Sequence, residues 1–271
     1  MGLVSPAMGQ PSRFKAFLVD VDGVLVKGGE PIPGAREALS ELKRMGDVVI
    51  LTNNSTRSRA RTAELLQALR FPIEPEEVVT SSYIAARWLL ERAGPSRVWI
   101  IGEEGLSEEL KLAGHTLVPP QEAEWIVVGM DRTLTYAKLA DALRALLSGA
   151  RLLATNRDRT FPTPEGLLPG AGATVGAIEG MGFSPEAVVG KPSPTAFEIA
   201  LRVAGAAPEE TIMIGDRWET DIQGAKRTGL ATALVLSGVS SATELSHLDP
   251  PPDLVAEDIG RLVKLLTERA R

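Results

Sequence analysis

The sequence predicts an α/β protein: a Rossmann-like, doubly wound parallel sheet with a large inserted α/β segment. Three observations lead there. Short β-rich apolar runs alternate with amphipathic stretches along the chain, several of those runs end in polar residues, and the middle of the chain repeats the alternation independently.

Taken in order, residues 15–21 read as a buried strand ending in carboxylates. A helix follows over 34–44, with Ala35, Ala38, Leu39 and Leu42 at helical spacing. Residues 48–52 are the next strand and 57–69 the next helix. Towards the C-terminus come a strand over 211–214, a helix over 221–228, a strand over 231–236 and a last helix over 258–269. Between these lies a second series, with strands at 98–101, 125–128 and 152–155 and helices at 107–112 and 136–147. The glycine-rich stretches 169–176 and 180–185 are places for the chain to return from an insertion. The expected partition is a discontinuous core, 1–82 and 183–271, and an inserted domain, 83–182.

Composition narrows the chemistry. With 271 residues, 44 % of them hydrophobic and 24 % charged, the chain suits one large domain or two moderate ones. It has no apolar run of 18 residues to span a membrane. Its first eleven residues lack the basic and apolar regions of a secretory signal, so they read as a loose tail, with Met8 as an alternative start, and the location as cytoplasmic. The absence of cysteine removes disulfides, thiolate nucleophiles and cysteine metal sites. With only His115 and His247, a metal here is expected to be hard and oxygen-ligated, which points to magnesium. A net charge of −6 argues against a nucleic-acid surface and requires that an anionic substrate be attracted locally.

Four segments place polar residues after a strand or at a helix start. Ligands of open parallel sheets bind outside the carboxyl ends of the strands, so all four can converge. The first is Asp20-Val21-Asp22-Gly23. Residues i and i+2 of a strand point the same way, so Asp20 and Asp22 are neighbours whose charges repel unless a cation lies between them. An Asp-Gly turn is the plain alternative. The second is Thr52-Asn53-Asn54-Ser55, a hydroxyl and two amides suited to phosphate oxygens or to capping the next helix. The third is Gly190-Lys191-Pro192, a lysine in irregular backbone. The fourth is Gly215-Asp216-Arg217-Trp218-Glu219-Thr220-Asp221, a strand ending at one carboxylate with another at a helix start. Together they supply a nucleophile, a metal cage, hydrogen-bond donors and a fixed positive charge, the requirements of phosphoryl transfer.

The order and wording of these segments resemble the haloacid dehalogenase superfamily, in particular its NagD-like phosphatases, which include 4-nitrophenyl, phosphoglycolate and pyridoxal phosphatases. The resemblance extends through Val127-Val128-Gly129-Met130-Asp131-Arg132, Ala154-Thr155-Asn156-Arg157-Asp158 and Gly166-Leu167-Leu168-Pro169-Gly170-Ala171-Gly172. It implies that Asp20 is the nucleophile and Asp22 the general acid and base. Magnesium is then held by the Asp20 and Asp216 carboxylates and the Asp22 backbone carbonyl. Thr52, Asn53, Asn54 and Lys191 bind phosphate, with Asp221, Gly23 and Gly215 in support. The inserted domain becomes a cap that reads the leaving group, with Asn156, Arg157 and Asp158 as candidate readers, or as residues that merely shape a turn. Trp218 is expected near the entrance and His115 on the surface. The expected partner is a small phosphate ester, with a homodimer through the cap. 4-Nitrophenyl phosphate is the artificial substrate; phosphoglycolate, nucleotides, pyridoxal phosphate and sugar phosphates are the natural candidates. Competing readings are a phosphotransferase or mutase, a non-catalytic phospholigand-binding relative, and a receiver-like signalling module, which would be shorter.

Overall fold

The structure is a computed structural model that describes residues 14–163, 166–243 and 245–269. The expected tail and the alternative start at Met8 lie outside them. In chain order the strands are β1 Ala16–Val19, β2 Val26–Lys27, β3 Glu30–Pro31, β4 Asp47–Thr52, β5 Val78–Thr80, β6 Arg97–Ile101, β7 Thr116–Leu117, β8 Trp125–Val128, β9 Arg151–Ala154, β10 Thr160–Thr163, β11 Gly166–Pro169, β12 Ala187–Val188, β13 Thr211–Gly215, β14 Ala231–Val235 and β15 Leu254–Ala256. The helices are α1 Ala35–Met45, α2 Arg59–Ala68, α3 Ser81–Ala93, α4 Glu104–Leu112, α5 Tyr136–Leu147, α6 Ala171–Glu179, α7 Pro194–Ala204, α8 Gln223–Arg227 and α9 Ile259–Arg269.

The chain forms two compact units. Among the described residues the first comprises 14–52, 63–78, 196–243 and 245–269, and the second 53–62, 79–163 and 166–195. The first is built on a sheet whose strands run in the order β15-β14-β13-β1-β4. β1 pairs in parallel with both β4 and β13, and β13 with β14. The chain therefore runs outward from β1 on one side and, on its return, outward from β13 on the other. The seam between β1 and β13 is the topological switch point, where α/β sheets bind their ligands. All four residues of β1 are buried, as a central strand covered on both faces requires. Phe17, Val19, Ile50, Ile212 and Ile214 share a core with Leu39 and Leu42 of α1 and Leu262 and Leu266 of α9. Each such side chain contributes about 1.5–3 kcal/mol on burial.

The second unit carries a parallel sheet of order β12-β9-β8-β6-β7 and an antiparallel hairpin of β10 and β11. Ile126, Val128, Leu152 and Ala154 pack there with Ala142, Ala145 and Leu146 of α5 and Val175 and Ile178 of α6. His115 is not on the surface as the sequence suggests. It is 4 % exposed, accepts the Ser96 N–H at Nδ1 (3.2 Å) and donates from Nε2 to Ala86 O (3.1 Å). Those two partners hold it as the neutral Nε2–H tautomer, and burial pushes its pKa below the ordinary value. Among the described residues no helix is long and apolar enough to cross a membrane.

Candidate active site

In the first unit, Asp20 follows the last residue of β1 and donates its backbone N–H to Ile214 O at 3.0 Å. With Val19 paired to Ile214 and β13 running one residue further to Gly215, Asp20 and Asp216 follow the ends of neighbouring strands. The chain then turns through a π-helical segment, Trp218–Ile222, before α8 begins. This wider turn replaces the start of the regular helix expected from residue 221, a local form often found at functional sites. It brings back Asp221. One carboxylate oxygen from each of Asp20, Asp216 and Asp221 lies within 4.8 Å of the others, and all three residues are buried.

Glycines and backbone donors hold this acidic cluster. Asp216 Oδ2 accepts the Val239 N–H at 2.7 Å, and Asp221 Oδ2 accepts the Arg217 N–H at 3.1 Å. A Cβ on Gly23 would stand 2.4 Å from Asp216 Oδ2, one on Gly238 1.9 Å from the same atom, and one on Gly215 2.4 Å from Asp221 Oδ2. Gly23 also adopts φ +85°, in the left-handed region that glycine enters without strain. Three buried carboxylates this close repel one another strongly, and an oxygen-ligated divalent cation removes that repulsion. The donor set fits magnesium. Among the described residues the carboxylate group comprises these three, so Asp221 is a member of it alongside Asp20 and Asp216. The Asp22 side chain is outside the group. Asp22 sits in a tight turn in which Leu25 and Val26 donate to Val21 O, and Gly23 donates to Val26 O. Trp218 donates from Nε1 to Pro250 O at 3.0 Å.

The second unit begins one residue past Thr52, which ends β4 and is buried. Asn53 is buried, and its side-chain nitrogen donates to the Asp158 carboxylate (3.0 and 3.2 Å) and to Lys191 O (2.9 Å). Both of its N–H groups are thus committed to protein, leaving the backbone N–H as the donor Asn53 can offer a phosphate. Asn54 Oδ1 accepts the Thr56 N–H and hydroxyl, each at 2.8 Å. Lys191 is buried despite its charge. Asn156 donates to Asn53 O at 2.8 Å, whereas Arg157 forms a two-point pair with Glu179 at the surface. The three candidate leaving-group readers therefore do not act alike: two are tied to the Asn53 loop and one is not. Sequence reasoning passed over Ser81 and Gly238. The Ser81 hydroxyl donates to Asn53 O (2.7 Å), and Gly238 packs on Asp216. The signal for Gly238 was present, since Ser237-Gly238 also follows a strand, β14.

Residues 17–116 match the family model of haloacid dehalogenase-like hydrolases, and residues 188–262 match a second, HAD-hydrolase-like model. The chain belongs to the haloacid dehalogenase superfamily. It is 39 % identical over 255 residues to the sugar-phosphatase AraL of Bacillus subtilis, a match covering 93 % of each chain. The solved structure of p-nitrophenyl phosphatase from Archaeoglobus fulgidus superposes with a TM-score of 0.87 at 36 % identity, covering 93 % of this chain and 99 % of that one. A glycerol phosphate phosphatase from Mycobacterium tuberculosis, solved in complex with calcium, gives 0.86 at 34 % identity, covering 95 % and 78 %. Within the superfamily the chain is a NagD-like phosphatase.

Proposed function

We propose that this phosphatase hydrolyses small phosphate monoesters, sugar phosphates first among them, through a phosphoaspartate on Asp20 and with magnesium. The observation that carries the reading is the trio of buried carboxylates at the switch point. The Asp20 carboxylate attacks phosphorus, and the bond from phosphorus to the ester oxygen breaks. Asp22 gives that oxygen its proton and so releases an alcohol. Asp22, now a base, takes a proton from water as the water oxygen attacks the phosphoaspartate. The acyl phosphate bond breaks, phosphate leaves and Asp20 is restored.

Thr52, the backbone N–H of Asn53 and Lys191 hold the phosphate oxygens while charge redistributes. Asp20, Asp216 and Asp221, with the Asp22 carbonyl, would hold magnesium, which would supply the positive charge that lets a carboxylate approach a phosphate dianion. Residues 83–182 act as the cap, choosing the leaving group and providing the surface for a homodimer. The preference for sugar phosphates rests on the names of the curated relatives, AraL and an acid sugar phosphatase of Staphylococcus aureus. Steady-state assay of purified protein with 4-nitrophenyl phosphate and magnesium tests the reading. Turnover is expected, lost with a chelator and lost in Asp20→Asn. Wild-type activity in Asp20→Asn would sink the mechanism. A panel of sugar phosphates, phosphoglycolate, nucleotides and pyridoxal phosphate then ranks the substrates.

A further inference from the structure

The bonds around Asn53 close into a ring within the second unit. Asn156 Nδ2 donates to Asn53 O (2.8 Å), and the Asp158 N–H donates to Asn156 Oδ1 (3.0 Å). Asn53 Nδ2 returns the link to the Asp158 carboxylate and extends it to Lys191 O. Gly190, just before Lys191, donates to Thr155 O at 2.6 Å. Both partners of Asn53 Nδ2 are pure acceptors, so the orientation of this amide is determined: its carbonyl end cannot face them. A bond accepted by a carboxylate is stronger than one between neutral groups, so the Asp158 side is the firmer anchor.

Asp158 is itself held from behind. Gly172 donates to Asp158 O at 2.9 Å and Gly170 to Arg159 O at 3.0 Å. A Cβ on Gly170 would meet Asp158 O at 2.2 Å, so the Gly170-Ala171-Gly172 phrase fits flush against the Asp158 backbone. On the other flank, a Cβ on Gly190 would meet Asn53 Oδ1 at 2.7 Å. The sequence phrases around residues 156, 170 and 190 thus serve one arrangement.

We propose that Asp158 is a positioning residue of the phosphatase: through the Asn53 side chain it sets the backbone of the Thr52–Asn53 loop and the Lys191 peptide, and it does not read the leaving group. The proposal rests on the reading above that Asn53 and Lys191 hold the phosphate. A group that places the phosphate-holding atoms affects every ester alike, whereas a leaving-group contact discriminates among them.

The test compares wild type, Asp158→Ala, Asp158→Asn, Asn53→Ala and the Asn53→Ala/Asp158→Ala double variant. kcat and KM are measured with 4-nitrophenyl phosphate and with glycerol phosphate, along with inhibition by inorganic phosphate. Asp158→Ala is expected to lower kcat/KM roughly 10- to 100-fold, by the same factor for both esters, and to weaken phosphate inhibition. Asp158→Asn keeps an acceptor oxygen and recovers most of the loss. The double variant is no worse than Asn53→Ala alone, because both changes cut one link. A loss confined to one ester with phosphate inhibition unchanged, or additive losses in the double variant, overturns the proposal. If Asp158→Ala does not fold, Asn53→Ala carries the same test from the other end: a uniform loss supports the link and wild-type kinetics overturns it. Failure of the parent reading is separate, since it shows as a wild-type protein without turnover or an active Asp20→Asn.

Discussion

Gly238 packs directly on the Asp216 carboxylate: a methyl group at that position would sit 1.9 Å from Oδ2 and 2.5 Å from Cγ. Val239, the next residue, donates its N–H to the same oxygen. One dipeptide after β14 thus both shapes and orients the acidic cluster, and Gly238→Ala must push Asp216 away. We expect this variant to lose on the order of 100-fold in kcat/KM, the scale of an ångström-sized misplacement. Gly176→Ala, in α6 with nothing within 4 Å of its Cβ, is the control and should keep full activity. Equal activity in both variants refutes the packing argument.

Asp221 belongs to the same carboxylate group as Asp20 and Asp216, and on the proposed reading it helps hold the cation. Asp221→Asn should therefore raise the half-saturating magnesium concentration by roughly 10- to 100-fold while leaving kcat at saturating magnesium less affected. Titrating activity against magnesium reads this directly. An unchanged requirement would return Asp221 to a structural role in the π-helical turn before α8.

His115 makes stability fall on acidification. Its folded pKa lies below the ordinary value of 6.5 because burial disfavours the charged ring. The unfolded chain thus takes up the proton first, and the stability His115 contributes, complete above about pH 6.5, is lost as pH falls below it. Protonation would also turn Nδ1 into a donor facing the Ser96 N–H. Thermal melting of wild type and His115→Gln between pH 5 and 8 should show a slope of at most about 1.4 kcal/mol per pH unit from this group, absent in the variant.

Glu109 carries the opposite sign. Its buried carboxylate accepts the Arg59 N–H at 2.6 Å, at the start of α2, and burial raises its pKa above the ordinary 4.5. A raised carboxyl favours the fold below its unfolded pKa, an advantage lost as pH rises through the folded value. Glu109→Gln keeps an acceptor and loses the charge, so its stability relative to wild type should improve from pH 4 to pH 7. Glu109→Ala leaves the Arg59 donor unpaired and should cost about 1–3 kcal/mol at either pH. Denaturant melts at the two pH values measure both.

The central strands were legible because their buried runs are uninterrupted: the 15–21 reading became Ala16–Val19, and 125–128 was observed as Trp125–Val128. α3 was not. Its buried face includes Ser81, Ser82, Ala85 and Ala86, so the apolar stripe is faint, and the expected boundary at residue 83 falls inside this helix. α6 was hidden by glycine. Gly172 and Gly176 weaken helix propensity, yet Gly172 is needed where the helix meets the Arg157 backbone, 2.6 Å from a would-be Cβ. Asp20 and Asp216 were readable as carboxylates at strand ends, whereas the place of Asp221 in the same group depends on the π-helical turn, which no strand-end pattern encodes. The link from Asp158 to Lys191 was not, because it runs through a side-chain amide between residues more than 100 positions apart, which no local pattern encodes.

The pairing of β1 with β13 also governs when chemistry becomes possible. Asp20 is made early and Asp216 and Asp221 late, and only the finished ladder between those strands brings them together. A nascent or truncated chain carries each acid separately, with no cage to capture a cation or an ester. On the proposed mechanism, catalytic competence thus reports on completed synthesis and folding: a chain that stops short of Asp221 lacks the full carboxylate group.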